Sequence, residues 1–376
     1  MHYTEQSDKL NTHTPELTLT NKSKILYMTH LALGDYVYQG AFLKALADAY
    51  SGLQIDVWID DCRSNQKSWH SGRNSTLQQW LTKESHLNTI YPIADSEKHR
   101  NALILQAQKE QYDAIVFVAT TRAPAYLKVA QAINPNAQIA GTKPKDFLSR
   151  FLYREQLKSL DVAIDTQTLN KCQHISDFYN QIFSRLFSVS LDEQTRSREI
   201  ILTNAQNENC KRQIALWRKQ FGLNQGKTVF INHISTSEKR DWQNSQLLEL
   251  TQQLIKQAPN TMFVINTPPH KLEDMVAWCE QHKDVPAIAF SATDDFFELP
   301  STMLACDLVI SVETAIMHLA SSLSLPQIAL IRKSASSWRP LKASKILTGK
   351  KRVDNIAASK VVEAANQVLS LGLVRT

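Results

Sequence analysis

Short apolar runs alternate with amphipathic stretches along most of the chain. Residues 25–28, 55–59, 89–92, 114–119 and 137–140 read as strands. Between them, 40–50, 76–83, 103–111 and 123–133 carry the spacing of helices. Apolar runs of this kind, each followed by a helical pattern, predict a parallel sheet with helices on both faces. Residues 143–190 read as mostly helical and polar, and 206–221 as a further helix. The alternation then restarts, with strands at 228–232, 262–266, 287–290, 308–310 and 327–331. Helices are expected at 245–257, 272–281, 298–305 and 314–323, and a last one at 358–371. The pattern predicts two α/β halves joined by a helical connector near 175–200.

The length of 376 residues suits two such halves, each large enough for its own core. The expected division is a polar, disordered leader 1–22, a first domain 23–190, a second domain 191–355 and a closing helix 356–376. The opening residues lack the apolar core of a signal peptide, and no apolar run has the roughly 18–20 residues that span a bilayer. Cys62, Cys172, Cys210, Cys279 and Cys306 are widely spaced and odd in number, which fits reduced thiols in a cytoplasmic protein. The net charge of +6 is dispersed, with neither a zinc finger nor a basic helix, so a nucleic-acid partner is not expected.

Ligands of open α/β sheets bind beyond the carboxyl ends of the strands, so candidate chemistry belongs just after strands. After the first strand, Gly34 permits close backbone approach and Asp35 stands near a helix start. A carboxylate there can take a proton from a hydroxyl or cap the helix; the spacing leaves both open. The GxGxxG dinucleotide fingerprint is absent, which disfavours an oxidoreductase. After the first strand of the second half, Ser235, Thr236 and Ser237 precede Lys239 and Arg240. Two cations and several hydroxyls suit a diphosphate, though a solvated loop has the same composition. After strand 308–310, Glu313 can hold sugar hydroxyls, and the helix opening at Thr314 and Ala315 offers backbone N–H groups to an anion. His318, one turn on, faces either a ligand or the core.

Together these segments resemble glycosyltransferase family 9, the ADP-heptose:lipopolysaccharide heptosyltransferases. The resemblance rests on ILYMTHLALGD at 25–35, on His233 followed by Lys239, Arg240 and Trp242, on ETAIMHLA at 313–320 and on SSWRP at 336–340. It extends in order and spacing over roughly 24–370. It implies a GT-B fold, two Rossmann-like α/β domains facing across a cleft, and an inverting, metal-independent transfer from a nucleotide sugar. Asp35 then takes the general-base position. Thr236, Lys239, Arg240, Glu313, Thr314, Ala315 and His318 take the donor side. No cofactor is implied beyond the nucleotide-sugar co-substrate, ADP-heptose. The acceptor implied is an acidic glycolipid of the lipopolysaccharide core, met at the inner face of the inner membrane. Arg63, Arg73, Arg122, Lys143 and Lys145 are candidates to contact it, or solvated surface.

This chain departs from the family pattern at three places. Glu313 stands for an Asp, Ala315 for a Gly and Thr29 for a frequent Lys. These leave open a UDP-hexose or UDP-N-acetylhexosamine donor, and a non-catalytic sugar-nucleotide-binding homologue.

Overall fold

Strands whose side chains are buried on both faces form the centre of each sheet, as the continuous apolar runs require. The computed structural model describes residues 16–63, 68–119 and 121–370, with the side chains of 68–74 excepted. The first half contains β1 (Lys24–Thr29), α1 (Leu33–Ala49), β2 (Gln54–Trp58), α2 (Ser68–Leu81), β3 (Ile90–Tyr91), α3 (Glu97–Gln108), β4 (Ala114–Val118), α4 (Ala123–Ile133), β5 (Gln138–Thr142), α5 (Phe147–Leu152), α6 (Arg154–Leu157), β6 (Val162–Ile164) and α7 (Ile175–Phe187). The second contains α8 (Asn204–Gln220), β7 (Thr228–Asn232), α9 (Asn244–Gln257), β8 (Met262–Asn266), α10 (Leu272–Gln281), β9 (Ala287–Phe290), α11 (Glu298–Leu304), β10 (Leu308–Val312), α12 (Ala315–Ser322), β11 (Gln327–Arg332), β12 (Lys345–Gly349) and α13 (Ala358–Ser370).

Both sheets are six-stranded and parallel, in the orders β3-β2-β1-β4-β5-β6 and β12-β11-β10-β7-β8-β9. Each run expected as a strand is one. The pattern missed β6 and β12, and both are edge strands. Edge strands are only half covered: β12 is mostly exposed and β6 alternates, so neither carries the apolar run that marks an interior strand. β6 interrupts the stretch expected to be helical.

Local chemistry explains several helix starts. Ser96 accepts from His99 N at 3.1 Å to cap α3, and Thr203 with Gln206 forms a capping box on α8. α1 begins at Leu33, well before the expected residue 40. Its N-cap position, Ala32, has no capping side chain, and Gly34 lowers the helical pattern. The cap is supplied from within, by the Asp35 carboxylate accepting from Ala32 N at 3.1 Å.

One apolar cluster runs from the first sheet through α7 into the second half, joining Phe42, Phe183, Leu186 and Phe187 to Phe230, Met262 and Met303. Trp80 stacks on Phe296 at 5.6 Å across the same junction. In the connector, Arg198 pairs with both Glu84 oxygens and donates its backbone N–H to Val37 O at 2.6 Å. α13 packs on α9 in the second core. Residues 1–15 of the expected leader lie outside the described residues. The rest of it is held to the body at one side: Leu17 is buried, and Thr18 N donates to Gln138 Oε1 at 3.1 Å, while most of its other residues are exposed. The alternation of Leu17 and Leu19 with polar neighbours gives this segment an apolar side to bury.

Candidate functional site

The carboxyl ends of both sheets point toward the junction between the halves, and there the N-termini of α1 and α12 meet. A Cβ on Gly34 would stand 3.0 Å from His318 Cδ2 and 3.8 Å from Ala315 Cα. A glycine is therefore what lets the first turn of α1 approach the start of α12. The first turn of α1, which carries Asp35, therefore lies against the start of α12, and Tyr38 one turn on reaches His318 across 280 residues of chain.

Asp35 is half-buried and held at both oxygens. Oδ2 accepts from Ala32 N, and Oδ1 accepts from the Tyr179 hydroxyl of α7 at 3.2 Å. Burial, and next the Asp35 charge, raise the Tyr179 pKa well above its ordinary value, so the phenol stays protonated and remains a donor. Capping and proton acceptance are thus compatible uses of this residue, because a carboxylate offers about four lone-pair sites.

On the facing side, Thr314 caps α12, its hydroxyl accepting from Ile316 N at 3.3 Å. Asn232, the last residue of β7, donates to Thr314 Oγ1 at 3.1 Å and accepts from Asn266 at 2.8 Å. The ends of β7, β8 and β10 thus form one polar ridge beside the helix start. Glu313 is buried and gripped by Arg332 through Nε at 2.9 Å and Nη2 at 2.6 Å. That hydrogen bond raises the Arg332 pKa, and the pair leaves Arg332 partly exposed.

His318 is buried, with Nδ1 2.7 Å from the Tyr38 hydroxyl. Burial, followed by the nearby His174, lowers its pKa to about 3, so it is neutral at ordinary pH. Its ring packs edge-on against Tyr38 of the first half, 5.3 Å between ring centres, and against Trp338 of its own half at 6.1 Å. His174 adds a second tie. Its Nδ1 accepts from Ser176 N at 3.0 Å, so Nε2 carries the proton donated to Arg339 O at 2.6 Å.

The loop after β7 is braced rather than loose. Asp241 accepts from Ser235 N at 2.6 Å and from Ser235 Oγ at 2.7 Å. Arg240 donates to Thr236 Oγ1 at 2.8 Å, and Lys239 is exposed. Trp242 is buried and donates its indole N–H to Ile356 O at 2.9 Å. His233, whose pKa burial lowers to about 4, bonds Asn244 Oδ1 at 3.0 Å beneath the loop.

In the first half, Arg63 and Arg122 converge on Asp61, at 2.7 and 3.1 Å from Oδ2. Burial works to raise the Asp61 pKa. The Arg63 backbone N–H and the two guanidinium groups outweigh it, and the carboxyl ends below its usual range. Lys143 and Lys145 lie on a separate segment after β5. The Arg73 side chain lies outside the described residues. Among the described residues no three His, Cys, Asp or Glu side chains gather as metal ligands. Two surface depressions, near Gln138 and Asp161 and near Val285 and Ala287, sit at the amino ends of strands, away from this junction.

Sequence reasoning missed Tyr38, Asn232, Tyr179 and Arg332. Asn232 and Arg332 had a signal: each is the polar residue that ends a run of apolar positions in its strand, on the ligand-binding edge. Tyr38 and Tyr179 had none, since each is one aromatic among the apolar positions of its helix.

The model of glycosyltransferase family 9 (heptosyltransferase) matches residues 100–365. No curated protein sequence matches the chain. Among solved structures, a glycosyl transferase of family 9 from Veillonella parvula is similar at TM-score 0.71 and 17% identity, covering 95% of this chain and 99% of that one. The E. coli ADP-heptose LPS heptosyltransferase II gives 0.66 and 16%, over 93% and 99% of the two chains. The E. coli heptosyltransferase WaaC, solved with ADP, gives 0.63 and 14%, over 92% and 99%. These likenesses bear out the GT-B architecture expected from the sequence.

Proposed function

The chain belongs to glycosyltransferase family 9 and is a glycosyltransferase, and from that premise we propose that it moves heptose from ADP-heptose to a hydroxyl of an acidic lipopolysaccharide-core acceptor, with inversion and without a metal ion. The observation that carries this reading is the close approach of Gly34, the residue before Asp35, to Ala315 and His318 of α12.

The donor diphosphate lies against the N–H groups at the start of α12, with Lys239 and Arg240 balancing charge as the nucleoside diphosphate leaves. The acceptor enters from the first half. Asp35 removes the proton of its attacking hydroxyl while that oxygen displaces the diphosphate in line at the anomeric carbon. Tyr179 and Ala32 N hold the carboxylate in place, one hydrogen bond to each oxygen. The transition state has oxocarbenium character, as in glycosyl transfer to water. Arg63 and Arg122, two cations on one Asp61, leave a net positive charge for an anionic acceptor group. That the E. coli heptosyltransferase WaaC was solved with ADP supports an adenine nucleotide as the donor's leaving group.

The test is product analysis with purified protein, a panel of nucleotide sugars and a truncated lipid A–Kdo acceptor, with and without EDTA. Heptosyl product of inverted configuration, unaffected by EDTA, is expected. Transfer that requires added Mg²⁺ or Mn²⁺ would remove the metal-free mechanism, and a UDP-sugar as sole donor would remove ADP-heptose.

The second reading, a different donor, has a specific motive in Glu313 and Ala315. Aspartate at 313 would reach one methylene less far and weaken the two-point grip on Arg332. Glycine at 315 would open the helix start. Pocket changes of this size shift discrimination by about 10–200-fold. Glu313→Asp with Ala315→Gly is therefore expected to change the kcat/KM ratio between ADP-heptose and UDP-hexoses in paired-donor competition. An unchanged ratio would mean that neither position selects the donor.

A further inference from the structure

We propose that α5 and the residue after it, Phe147 to Tyr153, dock this protein on an anionic lipid bilayer. The feature that carries the proposal is an inverted helix. Phe147, Leu148, Phe151, Leu152 and Tyr153 are 82%, 64%, 67%, 63% and 38% exposed, and α5 buries no residue. The other large exposed apolar side chains of the described residues, such as Leu105 and Ile201, come singly along the chain.

The exposure is not that of a loose segment. Asp146 caps the helix by accepting from Ser149 N at 2.7 Å. The polar side of α5 is fastened to the body: Arg150 donates to Pro144 O at 2.6 Å and grips both oxygens of Asp165 at 2.6 and 2.7 Å. Leu157 and Leu160, just beyond, are buried in the first core. The fold thus holds the helix by its charged side and presents its apolar side outward. Contiguous exposed apolar surface of this kind marks an interaction site.

Charge selects the occupant. Between 143 and 158 there are five basic residues against two acidic ones, and Lys145 and Arg154 at the two ends of the patch are exposed. Of the acids, Asp146 is engaged in the cap and Glu155 in a pair with Lys158. An apolar face rimmed by cations is the form that inserts at the headgroup boundary of an anionic membrane. A second copy of the same face would bring these cations together, which disfavours self-association.

Position gives the docking a purpose. The segment leaves the carboxyl end of β5, the same sheet edge from which β1 leads to Asp35, with only β4 between them. At about 4.8 Å per strand, the two strand ends are roughly 10 Å apart. A bilayer seated on α5 would lie beside the edge where a lipid-linked acceptor must enter. In that respect the inference rests on the proposed glycolipid acceptor; the docking surface itself does not.

The test is co-sedimentation of the full chain with vesicles of phosphatidylcholine alone, or of phosphatidylcholine and phosphatidylglycerol in equal parts. The wild type is expected on the anionic vesicles only, released by salt. Phe147→Ser with Phe151→Ser, both at exposed positions, should weaken that binding at least about tenfold, since each loses a buried ring at the interface. Arg154→Glu should weaken it as well. An unchanged melting temperature of the variants keeps loss of binding separate from loss of fold. Failure of the wild type to bind, or equal binding by the double serine variant, would overturn the docking. So would a concentration-dependent dimer that the serine variant abolishes while vesicles are ignored. Transfer to a deacylated, soluble acceptor is run in parallel and should be unchanged in the serine variant. Vesicle binding without any transfer by the wild type would sink the acceptor reading and leave the docking standing.

Discussion

Asp35→Asn lowers turnover by about 10²–10⁴-fold, the usual effect of removing a positioned general base, and leaves donor binding almost unchanged. The substitution keeps the size of the side chain and an oxygen to accept from Ala32 N or Tyr179, so α1 should keep its internal cap. It removes the capacity to take a proton. The measurement is steady-state kcat with saturating donor and acceptor, alongside calorimetry of the nucleotide. A purely structural Asp35 would give turnover within a few-fold of wild type. Tyr179→Phe is the companion: it removes one hydrogen bond to the carboxylate while keeping the ring in the apolar cluster. Its expected loss is smaller than that of Asp35→Asn, because the base itself remains.

Lys239→Ala with Arg240→Ala weakens binding of the nucleoside diphosphate product by about 10²–10⁴-fold. A charge-assisted contact is worth about 1.5–3 kcal/mol, and every 1.4 kcal/mol is tenfold. Lys239 is exposed, so salt screening places its share toward the low end. Arg240 already has one nitrogen on Thr236, which orients the guanidinium without neutralising it. The loop should survive the change, because its bracing runs through Ser235, Asp241 and Trp242. Calorimetry with ADP and with UDP reads the effect. Equal affinities in wild type and variant would take the diphosphate away from this loop and leave the start of α12, with Arg332 nearby, to hold it.

Much of the architecture was legible along the chain. Interior strands announce themselves because a parallel strand covered on both faces must be apolar throughout, and the intervening helices carry their own period. Candidate positions were legible for a related reason: ligands gather at strand ends, so polar residues just after β1, β7 and β10 stand out against apolar runs. The limits were equally local. β6 and β12 lie at sheet edges, where half the side chains meet water, so nothing in their composition demanded a strand. α1 began early because its cap comes from Asp35 inside the helix, not from a Ser or Thr before it.

What the tertiary structure decided is who meets whom. Tyr179 reaches Asp35 across 144 residues, and Tyr38 reaches His318 across 280. Glu313 finds Arg332 only because β10 and β11 are neighbours in the sheet. Two residues that pair through space share no period, cap or run, so each looks like an ordinary member of its own segment. The same holds for α5: it lies in a stretch that reads as helical and polar, and only the folded chain, by spending Arg150 on Asp165 and Pro144, shows its apolar residues turned outward. A hydrophobic pattern tells which side of a helix avoids water; whether the fold has room to cover that side depends on every other element packed around it.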